Sequence, residues 1–222
     1  MKRIFFLSIV LASCILLFGC KKKKEEPVYV TDQDGNVYPT VVIGNQVWMT
    51  KNLNTTKYRN GDLIPRVIDD VGWDTLHTGA YCNYDLYIET YGRLYNWYAV
   101  NDSRGIAPLG WHVASWDEWN VLVNYMGGAD VAGVKLKEAG SEHWATYNNS
   151  ATNESGFTAL PGGFRTMGGP FEYISDAGIW WCSTEENEQG AKAVSMWYNQ
   201  GGVRLYSGGK KEWGYSVRCV KD

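Results

Sequence analysis

The chain has only three histidines and six prolines in 222 residues. His77, His112 and His143 lie far apart, without H-x-x-x-H spacing, and there is no C-x-x-C pair. The zinc-site patterns built on such spacing are therefore missing. So are G-x-S-x-G, H-E-x-x-H and the P-loop, which removes the commonest signatures of hydrolases, metalloproteases and nucleotide-hydrolysing enzymes. No basic excess is available for a nucleic acid: 21 Lys and Arg face 24 Asp and Glu. Nor does any apolar run reach the roughly 20 residues of a membrane-spanning helix.

The longest such run, Ile4 to Phe18, follows Lys2 and Arg3. A short apolar core behind a positive n-region reads as an export signal of residues 1–19. It ends in "LLFGC", and Gly19 before Cys20 is similar to a bacterial lipobox. Cleavage there would leave Cys20 as the acylated first residue. Removing 19 residues and two cations from the chain leaves 203 residues with 19 basic and 24 acidic side chains, a balance of −5. The next segment, "KKKKEEP", has nothing to bury, so residues 20–27 read as a lipidated flexible tether. One domain is expected over residues 28–222.

That domain is rich in aromatics and glycine: 11 Trp, 15 Tyr and 25 Gly. "DQDGN" and "IGNQ" sit between alternating apolar positions and predict hairpin turns. Asp32, Asp34 and Asn36 open like a calcium loop, but Ile43 stands where its closing glutamate belongs, so a plain turn is expected. "YGRLYNWYAV" (Tyr91 to Val100) predicts a strand by its aromatic content. Two helices follow, and then strand-like runs separated by glycine pairs. The order gives an α+β fold, with mixed and antiparallel sheets and two helices.

The stretch "GWHVASWDEWNVLVNYMGG" holds three tryptophans and an acidic pair. Ser115 with Glu118 three residues on is a capping box. Trp116, Trp119, Leu122, Val123 and Met126 recur at helical spacing and predict one buried face, with Gly127 as the stop. Asp117 and Glu118 point about 100° apart on a helix, so they do not form a catalytic pair. A second helix is expected over "DVAGVKLKEAG", with Asp130 as cap and Gly140 as stop.

"DGNVYPTVVIGNQVWMTKNL", "YGRLYNWYAV", "GWHVASWDEWNVL", "ESGFTALPGGFR", "WWCST" and "GYSVRCVKD" occur in that order. On them the chain resembles the Fibrobacter succinogenes major paralogous domain, from about Val28 to Asp222. The resemblance implies a Bacteroidetes-type envelope lipoprotein. More distantly, the order of elements is similar to the formylglycine-generating enzymes, which implies a C-type-lectin-like fold. The paired cysteines of that enzyme and the calcium triplets of sugar-binding lectins are missing from this sequence. After loss of Cys14 and acylation of Cys20, Cys82, Cys182 and Cys219 remain. The resemblance implies a Cys82–Cys219 bridge with Cys182 free.

Together these features predict a lipid-anchored, outer-membrane binding or adhesion module that is not an enzyme. The alternatives are an enzyme of the formylglycine-generating type or another hydrolase, and a structural, fimbrial-type subunit. The expected partners are the membrane, through the anchor, and a glycan or a surface protein, with no nucleic acid. No cofactor or metal site is expected, although acidic loops such as "STEENEQG" leave a calcium ion open. By order along the chain, ligand contacts are expected from Asn148, Asn149, Asn153 and Glu154 in one loop. Phe171 and Tyr173 are expected as stacking platforms in the next.

Overall fold

A computed structural model describes residues 28–222, except Asp85, Tyr147, Asn149 and Met167. The export signal, Cys20, the tether and Asn149 lie outside the described residues. The first two hairpins form where the turns predict them. β1 (Tyr29–Thr31) pairs with β2 (Val37–Ile43), and β2 pairs with β3 (Gln46–Met49), all antiparallel. Asp32 closes the first turn, its Oδ1 accepting from the amides of Asp34 at 2.9 Å and Asn36 at 3.0 Å. Its other oxygen accepts from the Tyr38 hydroxyl and the Asn36 amide. That carboxylate is committed to the plain turn.

The irregular stretch that follows contains α1 (Asp70–Asp74), capped by Asp69, then β4 (Tyr81–Cys82) and α2 (Ile88–Tyr91). The strand expected over residues 91–100 shrinks to β5 (Leu94–Tyr95), which pairs with β4. The remainder is a helical turn, α3 (Trp97–Val100). Asn96 is the cause: its side-chain oxygen accepts from the Ala99 amide at 3.1 Å. An asparagine cap outweighs the strand preference of the aromatics behind it.

β6 (Trp111–Val113) leads into α4 (Trp116–Tyr125), where both halves of the capping box form. Trp119, Leu122, Val123 and Met126 are buried, and Gly127 takes φ +105° after the helix. Trp116 is only half-buried, under the Lys192 ammonium. α5 (Ala132–Leu136) departs from expectation at both ends. Its cap is Val131 rather than Asp130, and it stops at Lys137, three residues before Gly140.

β7 (Gly162–Arg165) and β8 (Phe171–Ile174) form a hairpin, followed by the meander β9 (Ala177–Glu185), β10 (Gly190–Trp197) and β11 (Arg204–Lys210). These five strands make one sheet in the order β11-β10-β9-β7-β8, with a single parallel pairing, β7 with β9. The last strand, β12 (Cys219–Lys221), leaves this sheet and inserts into the first one, giving β1-β2-β3-β12-β6. The class is α+β.

The core is aromatic. Trp48, Trp119, Trp180 and Phe157 pack between α4 and the sheets, with Trp48 and Trp119 ring centres 4.9 Å apart. A second cluster gathers Met49, Tyr95, Trp181 and Tyr215, and a small third one holds Trp73 and Leu94. The cysteines fall one to each: Cys219 with Tyr95, Cys182 with Trp119, Cys82 with Trp73. All three are buried free thiols. The Cys82–Cys219 bridge implied by resemblance is therefore not formed, because its partners belong to different clusters.

Buried cations join segments that no disulfide links. Arg218 is fully buried and has no carboxylate partner among the described residues; it donates to Asn52 Oδ1 at 2.7 Å and to the carbonyls of Met49, Phe157 and Thr158 at 2.8–2.9 Å. Arg165, also fully buried, donates to the Val67 and Ile68 carbonyls and to Asp70. Lys137 donates to the carbonyls of Trp197 and Gln200, both at 2.9 Å, and this draws the end of α5 inward. A buried charge that collects several carbonyls is a costly but directional clamp.

Candidate functional site

The β7–β8 hairpin carries a backbone that ordinary residues avoid. Gly163 has φ +60°, and a Cβ there would stand 2.3 Å from the Glu172 carbonyl oxygen. Only glycine allows this approach. Opposite it, Tyr173 and Ser175 take φ +58° and +69° without being glycine. Such conformations cost on the order of 1–3 kcal/mol each and persist only where the surroundings enforce them.

At Tyr173 the enforcing surroundings are other rings. Tyr173 lies nearly parallel to Phe164, at 5.4 Å and 11°. It meets Trp197 edge-on at 5.4 Å, and Phe164 continues to Trp213 at 6.5 Å. Below them Tyr215 touches Phe164 and packs 4.3 Å from Trp181. Tyr173 is 47% exposed, while Phe164, Trp197 and Trp213 are half-buried. The result is an aromatic shelf on a rigid sheet, anchored in the core. Contacts of this kind contribute about 0.5–1.5 kcal/mol per ring pair beyond area burial.

Of the residues expected to bind, only Tyr173 belongs to this shelf. Phe171 packs on Tyr84 at 4.5 Å and beneath the Arg165 guanidinium at 5.2 Å. It is a structural plug rather than a platform. Asn148 is fully buried and donates to the carbonyls of Glu138 and Gly140, both at 2.9 Å. Asn153 accepts from the Thr158 amide and donates to its hydroxyl, each at 2.9 Å, so its polar atoms fasten a turn. These two asparagines are therefore corrected from ligand contacts to loop fasteners. Glu154 is exposed and pairs with Lys135 at 3.2 Å. The two segments do touch, the Ala145 amide donating to the Ser175 carbonyl at 2.8 Å.

Sequence reasoning missed Phe164, Trp197 and Trp213. Each is an aromatic beside glycine or near a strand end, in "GGFR", "SMWYN" and "KEWG". That position favours partial exposure, and it was the available signal. It also missed a group suited to a cation. Glu138, Glu142 and His143 offer ligand atoms within 4.8 Å of one another. His143 Nδ1 already lies 2.9 Å from both Glu138 carboxylate oxygens.

The thiols are not poised for chemistry. Burial pushes Cys82 up to about 12 and raises Cys182 and Cys219 as well. A thiol held in its protonated form is a poor nucleophile.

The model of the family described as Fibrobacter succinogenes major domain matches residues 41–221. No curated protein and no solved structure matches the chain.

Proposed function

Because the chain belongs to the Fibrobacter succinogenes major domain family, we propose that it is a lipid-anchored, non-catalytic binding module of the cell envelope, with the shelf around Tyr173 as its recognition surface. One observation carries this reading: a half-exposed tyrosine held in a left-handed conformation between Phe164 and Trp197. Strain is tolerated where it presents a side chain for use. Flat ring faces suit the apolar C–H faces of sugars, so the ligand class is carbohydrate.

The finer reading of the fold as C-type-lectin-like belongs to the same proposal. It is supported by the paired sheets, the early helices and the terminal strand that returns to the first sheet. A formylglycine-generating activity would need a reactive pair of thiols. Three buried thiols in three separate clusters weigh against it. The anchor at Cys20 would hold the domain at the outer membrane on the charged tether of residues 20–27.

The test is retention on insoluble polysaccharides, including cellulose, xylan and mannan. Tyr173→Ala combined with Trp197→Ala should weaken retention at least tenfold on any polymer that the unmodified protein binds. Loss of two ring contacts predicts that order of effect. Undiminished retention of the double variant would remove the shelf from consideration. Binding to an envelope protein, with no polysaccharide retained, would replace the carbohydrate reading by a protein ligand.

A further inference from the structure

Away from the shelf, two clefts of about 460 Å³ each open on either side of a ridge formed by His77 and Tyr98. Both volumes lie within the range of roughly 300–1,000 Å³ usual for small-ligand sites. The first is lined by Leu63, Pro65, Thr78, Trp97, Asn101 and Arg104, among others. The second is lined by Glu188, Gln189, Lys210 and Glu212. The ridge is a hydrogen-bonded chain. Tyr98 donates to Glu212 Oε1 at 3.1 Å, and His77 Nδ1 lies 3.2 Å from the same hydroxyl. Since Tyr98 has one proton and gives it to Glu212, its oxygen accepts from His77 Nδ1–H. His77 Nε2 is then left for another partner on a side chain 76% exposed.

The charges of the first cleft are already spent. Arg104 donates to Asp102 at 2.8 and 2.9 Å and to Asp62 at 3.0 Å, and its guanidinium lies 3.9 Å over the Tyr58 ring. The second cleft is lined by one cation, Lys210, and two carboxylates, Glu188 and Glu212, of which Glu212 already accepts from Tyr98. An anion would meet Asp102, Glu188 and Glu212; a cation would meet Arg104 and Lys210. Beside these opposed charges stand neutral groups that both donate and accept, the Thr78 hydroxyl and the Asn101 amide, together with His77 Nε2. The half-buried Tyr98 ring supplies apolar surface, whereas Trp97 is buried, its indole N–H satisfied by the Cys182 carbonyl at 3.0 Å. Burial and the nearby Glu212 push the Tyr98 phenol up to about 12, so it remains a donor.

We propose that the paired clefts bind a short neutral oligosaccharide, one ring on each side of the His77–Tyr98 ridge, as a site separate from the Tyr173 shelf. Sugar hydroxyls both donate and accept, which matches these neutral groups, and sugar rings carry an apolar face for the half-buried Tyr98 ring.

The experiment is calorimetric titration of the full chain with neutral gluco-, manno- and xylo-oligosaccharides of two and three units. Counterparts containing a uronic acid or an amino sugar serve as charge controls. At least one neutral member should bind, with its charged counterparts at least tenfold weaker. Tyr98→Phe and the exposed Asn101→Ala should each weaken binding at least fivefold, and should do so equally in a Tyr173→Ala background, where the shelf is lost. If Tyr98→Phe disturbs the fold, as shown by circular dichroism, Asn101→Ala decides. Failure of every neutral member to bind would overturn the proposal, as would equal or tighter binding of the charged counterparts. Sensitivity to Tyr173→Ala but not to Asn101→Ala would assign the sugar to the shelf instead.

Discussion

Replacing Arg218 by methionine is the sharpest test of what holds the two sheets in place. Methionine keeps most of the apolar volume over Phe157, where the guanidinium lies 4.4 Å from the ring centre. What it removes is the fork. Asn52 Oδ1 would still accept from the Trp180 indole at 2.8 Å. The carbonyls of Met49, Phe157 and Thr158 would lose their guanidinium donor in a dry interior. An unmet buried acceptor costs about 1–3 kcal/mol, so three predict a loss of roughly 3–9 kcal/mol. That is a large share of the roughly 5–15 kcal/mol that holds a domain together. Buried ion pairs can often be replaced by apolar residues at little cost, because both partners leave together. Here the acceptors are backbone and remain. Burial lowers the Arg218 pKa to about 9, which still leaves it charged at pH 7. Arg218→Lys, which keeps the charge without the planar fork, should lose about half as much. Urea unfolding followed by tryptophan fluorescence measures both. A methionine variant within 1 kcal/mol of the parent, at unchanged m value, would refute the clamp.

His112 should make stability depend on pH. Its two ring nitrogens lie 2.6 Å from Asp222 and 2.7 Å from Glu118. Burial opposes its charge, but the two carboxylates outweigh it, so its pKa is raised. A raised folded-state pKa means a contribution fully present below the unfolded value of about 6.5 and lost as pH rises through the folded one. The ring is 41% exposed, so screening holds this to about 1 kcal/mol at most. Urea midpoints from pH 5.5 to 8.5 should fall for the parent and stay level for His112→Gln; parallel curves would rule the coupling out. Cys20→Ala should release the protein from carbonate-washed membranes, and a variant that stays bound would end the lipoprotein reading.

Local signals were legible and distant ones were not. The α4 capping box and the turns at Gly35 and Gly44 involve residues within four positions, so short patterns report them. Asn96 was overlooked because the strand preference of "LYNWYAV" is a property of a window, whereas its cap is one hydrogen bond. Arg165 and Arg218 sit in runs where a charge reads as solvent-facing. Their burial depends on carbonyls roughly 60–170 residues away in the chain, which no spacing encodes. The same holds for Asn148 and Asn153: amides suit sugars, but they suit loop carbonyls and hydroxyls equally well. Tyr173 could be picked out between turn residues, while its neighbours come from three other segments brought together only by the sheet.

The insertion of β12 between β3 and β6 has a consequence for the order of manufacture. β3 is complete by Met49 and β6 by Val113, yet the strand that joins them begins at Cys219. The clamp at Arg218 arrives with it. A ribosome must add more than a hundred residues after β6 before the first sheet can close. Until then Trp48 and Val113 lack the strand meant to lie beside them. A truncation of four residues from Cys219 onward would therefore empty the middle of the sheet rather than trim its edge. Fusions or deletions at this end should be far less tolerated than its position in the chain suggests.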